Sequence, residues 1–260
     1  MLLNTHFNLK TIFKSLAFVL PNMMFNPFGP NKVYVPIDIK PHSTYINYKL
    51  ELDQVNIINS YIKSYNDSLS IVPIQLYDDY VANYYLSINI YNSSSPVFMT
   101  GDNIIRCEIN TYIMDSNGKK GTLILDYMTN GLSMDPVDGL KLVDTYQHIL
   151  FNKNENDLFN ISCISSNSDI QLDFSFDTTN VYPNHLSFDL LEYTDNIYYK
   201  NGIIDKVFYD NSLLNPVLMG VDVKNASFKY NNMTFENVHS VFYFKDSLYF
   251  IGSMWDNLNL

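Results

Sequence analysis

The sequence predicts a mainly β protein of the α+β class, built from antiparallel sheets with one or two short helices. Three observations predict it. Apolar and polar residues alternate at period two, as in YYLSINIYN, where Leu86, Ile88 and Ile90 alternate with Tyr85, Ser87, Asn89 and Tyr91. Strand-like runs flank two-residue turn signals at Asn117-Gly118 and Asn201-Gly202. Helical spacing is confined to a small part of the chain.

Taken in order, LKTIFKSLAFVLPNMMF sets lysines ahead of a short apolar run, as a signal peptide would. The run from Leu16 to Leu20 meets Pro21 with no small-x-small cleavage site, so residues 1–30 read as an N-terminal extension of a cytoplasmic protein. Residues 31–260 read as a single β domain. In LDQVNIINSYIKSYNDSL, Asp53 can cap a helix in which Val55, Ile58, Ile62 and Tyr65 share a face. Strands follow at YYLSINIYN, then at IIRCEINTYIM and TLILDYM, joined by DSNGKKG. DPVDGLKLVDTYQHIL has the spacing of a second, weaker helix. Further strands are expected at FNISCISS, IQLDFSF and HLSFDLLEY, a hairpin at NIYYKNGIIDKVFY, and another in VFYFKDSLYFIGSMW turning at Lys245-Asp246-Ser247.

Composition limits the function. With 27 acidic against 16 basic residues and a net charge of −11, the surface repels phosphate backbones, which argues against nucleic acid as a partner. No stretch approaches the roughly 20 apolar residues that cross a bilayer, so no membrane partner is expected either. Cys107 and Cys163 lie in apolar strand contexts without metal-ligand spacing and read as buried free thiols. The 9 glycines form no phosphate loop, so neither metal nor cofactor is expected. His148 and His239, each near apolar residues without a nucleophile partner, read as structural histidines, and Lys119-Lys120 as exposed charge in a turn.

Arg106 is the only arginine. On its strand Ile105, Cys107 and Ile109 share one face, and Arg106, Glu108 and Asn110 the other. That second face suits water if the sheet is flat. It suits a polar interior if the sheet curls, because a buried charge then needs a partner and Arg106 and Glu108 could supply each other's. Lysine serves elsewhere as the basic residue, so a lone arginine favours a role for its planar fork of donors.

The order of GDNIIRCEINTYIMDSNGKKGTLILDY, MTNGLSMDPVDGLKLVD and FDLLEYTDNIYYKNGIIDKVFYDNSLLNPV resembles the acetoacetate decarboxylase-like superfamily, including its uncharacterised YqjF-like branch, over about Val33 to Trp255. The resemblance implies sheets curled into a cone or barrel. It further implies a lyase acting on a small β-keto acid or related carbonyl compound through a Schiff base. By position Lys141 would be the amine, with Arg106 and Glu108 as charged catalytic partners, and Asn110, Asn89 and Tyr91 as substrate-binding residues. The chain departs from the pattern at Leu142, where a second lysine would stand, so Arg106 would have to lower the amine's pKa. The alternative is a binding protein that holds an apolar or carbonyl ligand in the same cavity without turnover. In either case the expected partner is a small molecule, and a homo-oligomer is compatible with the sequence.

Overall fold

The computed structural model describes residues 33–76, 81–94, 104–130, 132–135, 139–142, 146–154, 157–178, 193, 196–199, 202–205, 208–209, 222–244 and 248–254. Residues 1–30, Trp255 and all of HLSFDLLEY except Tyr193 therefore lie outside the described residues.

The chain is mainly β. Its strands are β1 (Val33–Ile39), β2 (Ser43–Lys49), β3 (Leu69–Ile71), β4 (Tyr85–Ser94), β5 (Ile104–Asp115), β6 (Lys120–Thr129), β7 (Leu132–Asp135), β8 (Gly139–Leu142) and β9 (Tyr146–Lys153). They continue with β10 (Leu158–Ser165), β11 (Ile170–Asp177), β12 (Asn196–Tyr199), β13 (Gly202–Asp205), β14 (Phe208–Tyr209), β15 (Asp222–Tyr230), β16 (Met233–Phe235), β17 (Val238–Phe244) and β18 (Leu248–Met254). The one helix among the described residues, α1, spans Leu52–Tyr65.

An 11-stranded sheet has the path β13-β12-β6-β5-β4-β1-β18-β14, with β2 and β17 branching from β4 and β3 from β5. A 5-stranded antiparallel sheet has the order β16-β15-β11-β10-β9, and β7-β8 form a separate ribbon. One pairing, β12 with β6, is parallel. The large sheet does not close by hydrogen bonds among the described strands, although β13, at one end of its path, lies against β18 near the other.

The two sheets pack face to face. Ile46, Tyr48, Ile88, Ile90, Cys107, Ile109 and Met128 of the large sheet join Phe159, Ile161, Cys163, Phe174, Phe176 and Phe228 of the small one in a single core. Ring contacts stitch the layers: Tyr48 meets Phe228 at 5.5 Å, and Tyr243 meets Phe159 at 5.7 Å between centroids. Helix α1 closes one side of this core with Val55, Ile58 and Ile62, the face that the spacing predicts. Tyr65 packs half-buried beside them.

The structure corrects several expectations. The N-cap of α1 is Glu51, not Asp53, which lies within the first turn. Gln54 reaches back to accept the Glu51 N–H at 2.9 Å, satisfying a donor that the helix start leaves open. The second helix is absent: DPVDGLKLVDTYQHIL contributes β7, β8 and β9, because Gly139 to Leu142 pair with Leu132 to Asp135 and β9 finds an edge on β10. The last two strands do not fold back on each other. Ile39 faces Leu248 and Ser43 faces Phe244, so β17 and β18 run along one long ribbon with β1 and β2; Lys245 to Ser247 themselves lie outside the described residues. That ribbon bends at residues 40–42, where five steps from Ile39 to Thr44 face three from Ser93 to Ile90. His42 takes φ 81° there, as a bulge requires.

Both predicted turns form. Asp115 accepts the N–H groups of Asn117 and Lys119 at 2.8 Å each, and Gly118 sits at φ 82°. At the second, Tyr199 faces Gly202, so the loop falls one residue earlier than the Asn201-Gly202 signal implies.

Candidate functional site

The face of the large sheet turned away from the shared core carries the predicted residues. Strand registers place them side by side: Asn89 faces both Tyr45 and Glu108, and Tyr91 faces Arg106. On the far side of β5, Glu108 faces Tyr127 and Arg106 faces Thr129. The period-two pattern of each strand turns Asn47, Ser87, Asn89, Arg106, Glu108 and Asn110 to this side, while Ile46, Ile88, Cys107 and Ile109 turn to the core.

This face is not wet. Arg106 is 5% exposed, Glu108 6%, Asn89 5% and Asn110 3%, so a flat, solvated sheet does not describe it. Burial of charge is matched by pairing: Arg106 Nε meets Glu108 Oε1 at 2.5 Å. Tyr91 donates its hydroxyl to the same oxygen at 2.9 Å, and Asn89 Nδ2 comes within 3.5 Å of Oε2. The Arg106 guanidinium lies 4.1 Å from the centre of the Tyr127 ring, a cation–π contact strengthened where water is excluded. Asn89 Nδ2 also donates to Tyr45 Oη at 2.9 Å.

A second polar group continues the face. Ser87 donates to Asn47 Oδ1 at 2.6 Å and shares a hydrogen bond with Tyr112 at 3.2 Å; burial pushes the Tyr112 phenol up to about 12. Ile74, Leu76, Tyr193 and Phe242 pack around Tyr85 and Tyr112 as a small second core, so this end of the face is covered by protein.

The structure thus brings Arg106, Glu108, Asn89, Tyr91 and Asn110 together. Lys141 is placed less fully. Its backbone lies in β8 opposite Ser133, and its side chain falls outside the described residues. The ribbon that bears it springs from the Arg106 end of the sheet: Thr129 faces Arg106, Asn130 Oδ1 accepts the Ile105 N–H at 2.8 Å, and β7 lies against β5.

Sequence reasoning passed over Tyr45, Asn47 and Tyr127. The signal was present as alternation in STYINYK and LDYMT, where the same period sets them on the polar side. The rival residues separate clearly. Lys120 is half-buried with its ammonium 5.5 Å from the centre of the Tyr193 ring, so it is not a freely solvated turn charge. His148 is exposed, and His239, also exposed, hydrogen-bonds Tyr85 at 3.3 Å; neither is the buried structural histidine expected. Among the described residues no three His, Cys, Asp or Glu side chains gather as metal ligands, and no helix is long and apolar enough to cross a membrane.

Comparison with known proteins finds no matching family model, no matching curated protein and no matching solved structure.

Proposed function

We propose that the chain is an acetoacetate decarboxylase-like protein whose buried polar face is a small-molecule site, with Lys141 forming a Schiff base to a small carbonyl compound. The observation that carries this reading is the buried Arg106–Glu108 pair, set among Asn89, Tyr91 and Tyr127 on a face that sandwich packing alone would leave to solvent.

The topology supports a curled sheet. Its path ends in β13 and β14, yet Asp205 and Phe208 are three residues apart in the chain, so the two edges lie within about 10 Å of each other. A sheet drawn together in this way encloses one of its faces, and the cone of the acetoacetate decarboxylase-like fold is the form proposed for it. Lys141 suits the role through its place on the ribbon leaving the Arg106 end, where a guanidinium favours a neutral amine. The amine would attack the ketone carbon and expel water. The resulting iminium would take up the electron pair as the bond to a departing carboxylate breaks, and the released enamine would be protonated and hydrolysed.

One observation favours a second reading, ligand binding without turnover. Glu108 already neutralises Arg106, and Leu142 stands where a second cation would lower the amine's pKa. Borohydride reduction in the presence of acetoacetate or a β-diketone, followed by peptide mass spectrometry, decides between the two. An adduct on Lys141, lost in Lys141→Ala, is the expected result. Reduction that leaves no adduct, or marks only Lys119 and Lys120, would overturn the Schiff-base step and leave the binding protein.

A further inference from the structure

We propose that the ligand of this face is a neutral carbonyl compound bearing hydrogen-bond donors, hydroxyl or amide N–H groups, on both sides of the carbonyl. The inference rests on reading the face as a ligand site and names the chemistry that the site would select.

Two buried acceptors carry it. Asn89 Oδ1 and Asn110 Oδ1 are enclosed and accept no hydrogen bond among the described residues. Buried polar atoms rarely remain so, because each forfeits its bonds to water without replacement. The orientation of Asn89 follows from its neighbours. Its amide nitrogen faces Tyr45 Oη at 2.9 Å and Glu108 Oε2 at 3.5 Å, and a carboxylate oxygen only accepts, so the nitrogen belongs on that side and Oδ1 on the other. The two amides belong together. Asn89 is opposite Glu108 and Ser87 opposite Asn110, which makes Asn89 and Asn110 diagonal neighbours on one face, about 7–8 Å apart.

A β-keto acid fits these acceptors poorly. It presents oxygen acceptors alone, would leave both amide oxygens unsatisfied, and would bring a carboxylate towards Glu108, whose charge Arg106 already balances. A carbonyl flanked by two hydroxyls offers one donor to each amide and keeps the electrophilic carbon between them. The Glu108 carboxylate adds a further acceptor on the same surface.

Three probes test this by calorimetric titration of the full chain: 1,3-dihydroxyacetone, 1,3-dimethoxyacetone, which keeps the skeleton but caps both donors, and acetoacetate. The expected result is binding of dihydroxyacetone about tenfold or more tighter than either of the others. In Asn89→Leu and in Asn110→Leu that preference should shrink by about tenfold, with the dimethoxyacetone affinity retained. Equal or tighter binding of dimethoxyacetone or acetoacetate by the unmodified chain, which needs no variant to fold, overturns the inference. So does a preference untouched in both variants. If acetoacetate binds or labels Lys141 without any preference for donors, the ligand class fails and the Schiff-base reading stands. If none of the three binds, the ligand-site reading falls and takes the inference with it.

Discussion

At the scale of single residues, the polar side of β5 was legible and its surroundings were not. Period two places Arg106, Glu108 and Asn110 together from the sequence alone. Whether that side meets water depends on curvature and on distant segments such as Ile74 and Tyr193, which no local pattern reports. Burial now makes a sharp prediction. Glu108→Ala leaves the Arg106 charge enclosed without its carboxylate and should cost about 3–5 kcal/mol in urea unfolding. The double change Arg106→Met with Glu108→Leu should recover most of that, since two apolar side chains of similar size avoid the desolvation of both ions. A Glu108→Ala chain as stable as the parent would show that the pair is solvated. His42 predicts a pH effect. Burial, and then the Lys153 charge, hold its pKa below the usual 6.5, so the folded protein favours the neutral ring. Its neighbours are Tyr243, which shares a hydrogen bond with Nδ1, and Phe159, 5.5 Å away between ring centroids. The stability it contributes is complete above about pH 6.5 and is lost as pH falls through the lower folded value. His42→Gln should flatten that part of a stability-against-pH curve; an unchanged slope would assign it to other groups.

At the scale of elements, local chemistry was readable wherever a turn or a face specified itself. The Asn117-Gly118 turn and the α1 face formed as the pattern requires. Gly118 stands at φ 82° with open space where a side-chain methyl group would point, so Gly118→Ala should cost about 1–2 kcal/mol through backbone conformation alone. A thermal melt that leaves the midpoint unmoved would mean the turn relaxes to another form. The misread elements share a cause. DPVDGLKLVDTYQHIL supports both helical and alternating spacings, and the partners that decided for strands, β10 among them, lie elsewhere in the chain. Lys245-Asp246-Ser247 looks like a hairpin loop, but β17 and β18 each find a partner along the β1–β2 ribbon. Such long-range pairing leaves no mark in the residues between.

At the scale of the whole molecule, one core joins two sheets whose strands are far apart in sequence. Cys107 of β5 and Cys163 of β10 show this most directly, being 1% and 0% exposed in the same cluster. Hydrogen bonding to Cys163, then burial, hold the Cys107 thiol well above its ordinary range, so it is a poor nucleophile while folded. If the layers stand or fall together, neither sheet can open to solvent alone. Both thiols should then resist a disulfide reagent in the native protein and react at one common rate set by global unfolding. Raising the urea concentration should speed both in parallel, with a dependence matching that of the equilibrium transition. Stopped-flow labelling of the single variants Cys107→Ala and Cys163→Ala measures each rate separately. Faster labelling of Cys163 would mean that the 5-stranded sheet opens first as a unit of its own, and the shared aromatic core would then be a contact between two separately folding layers.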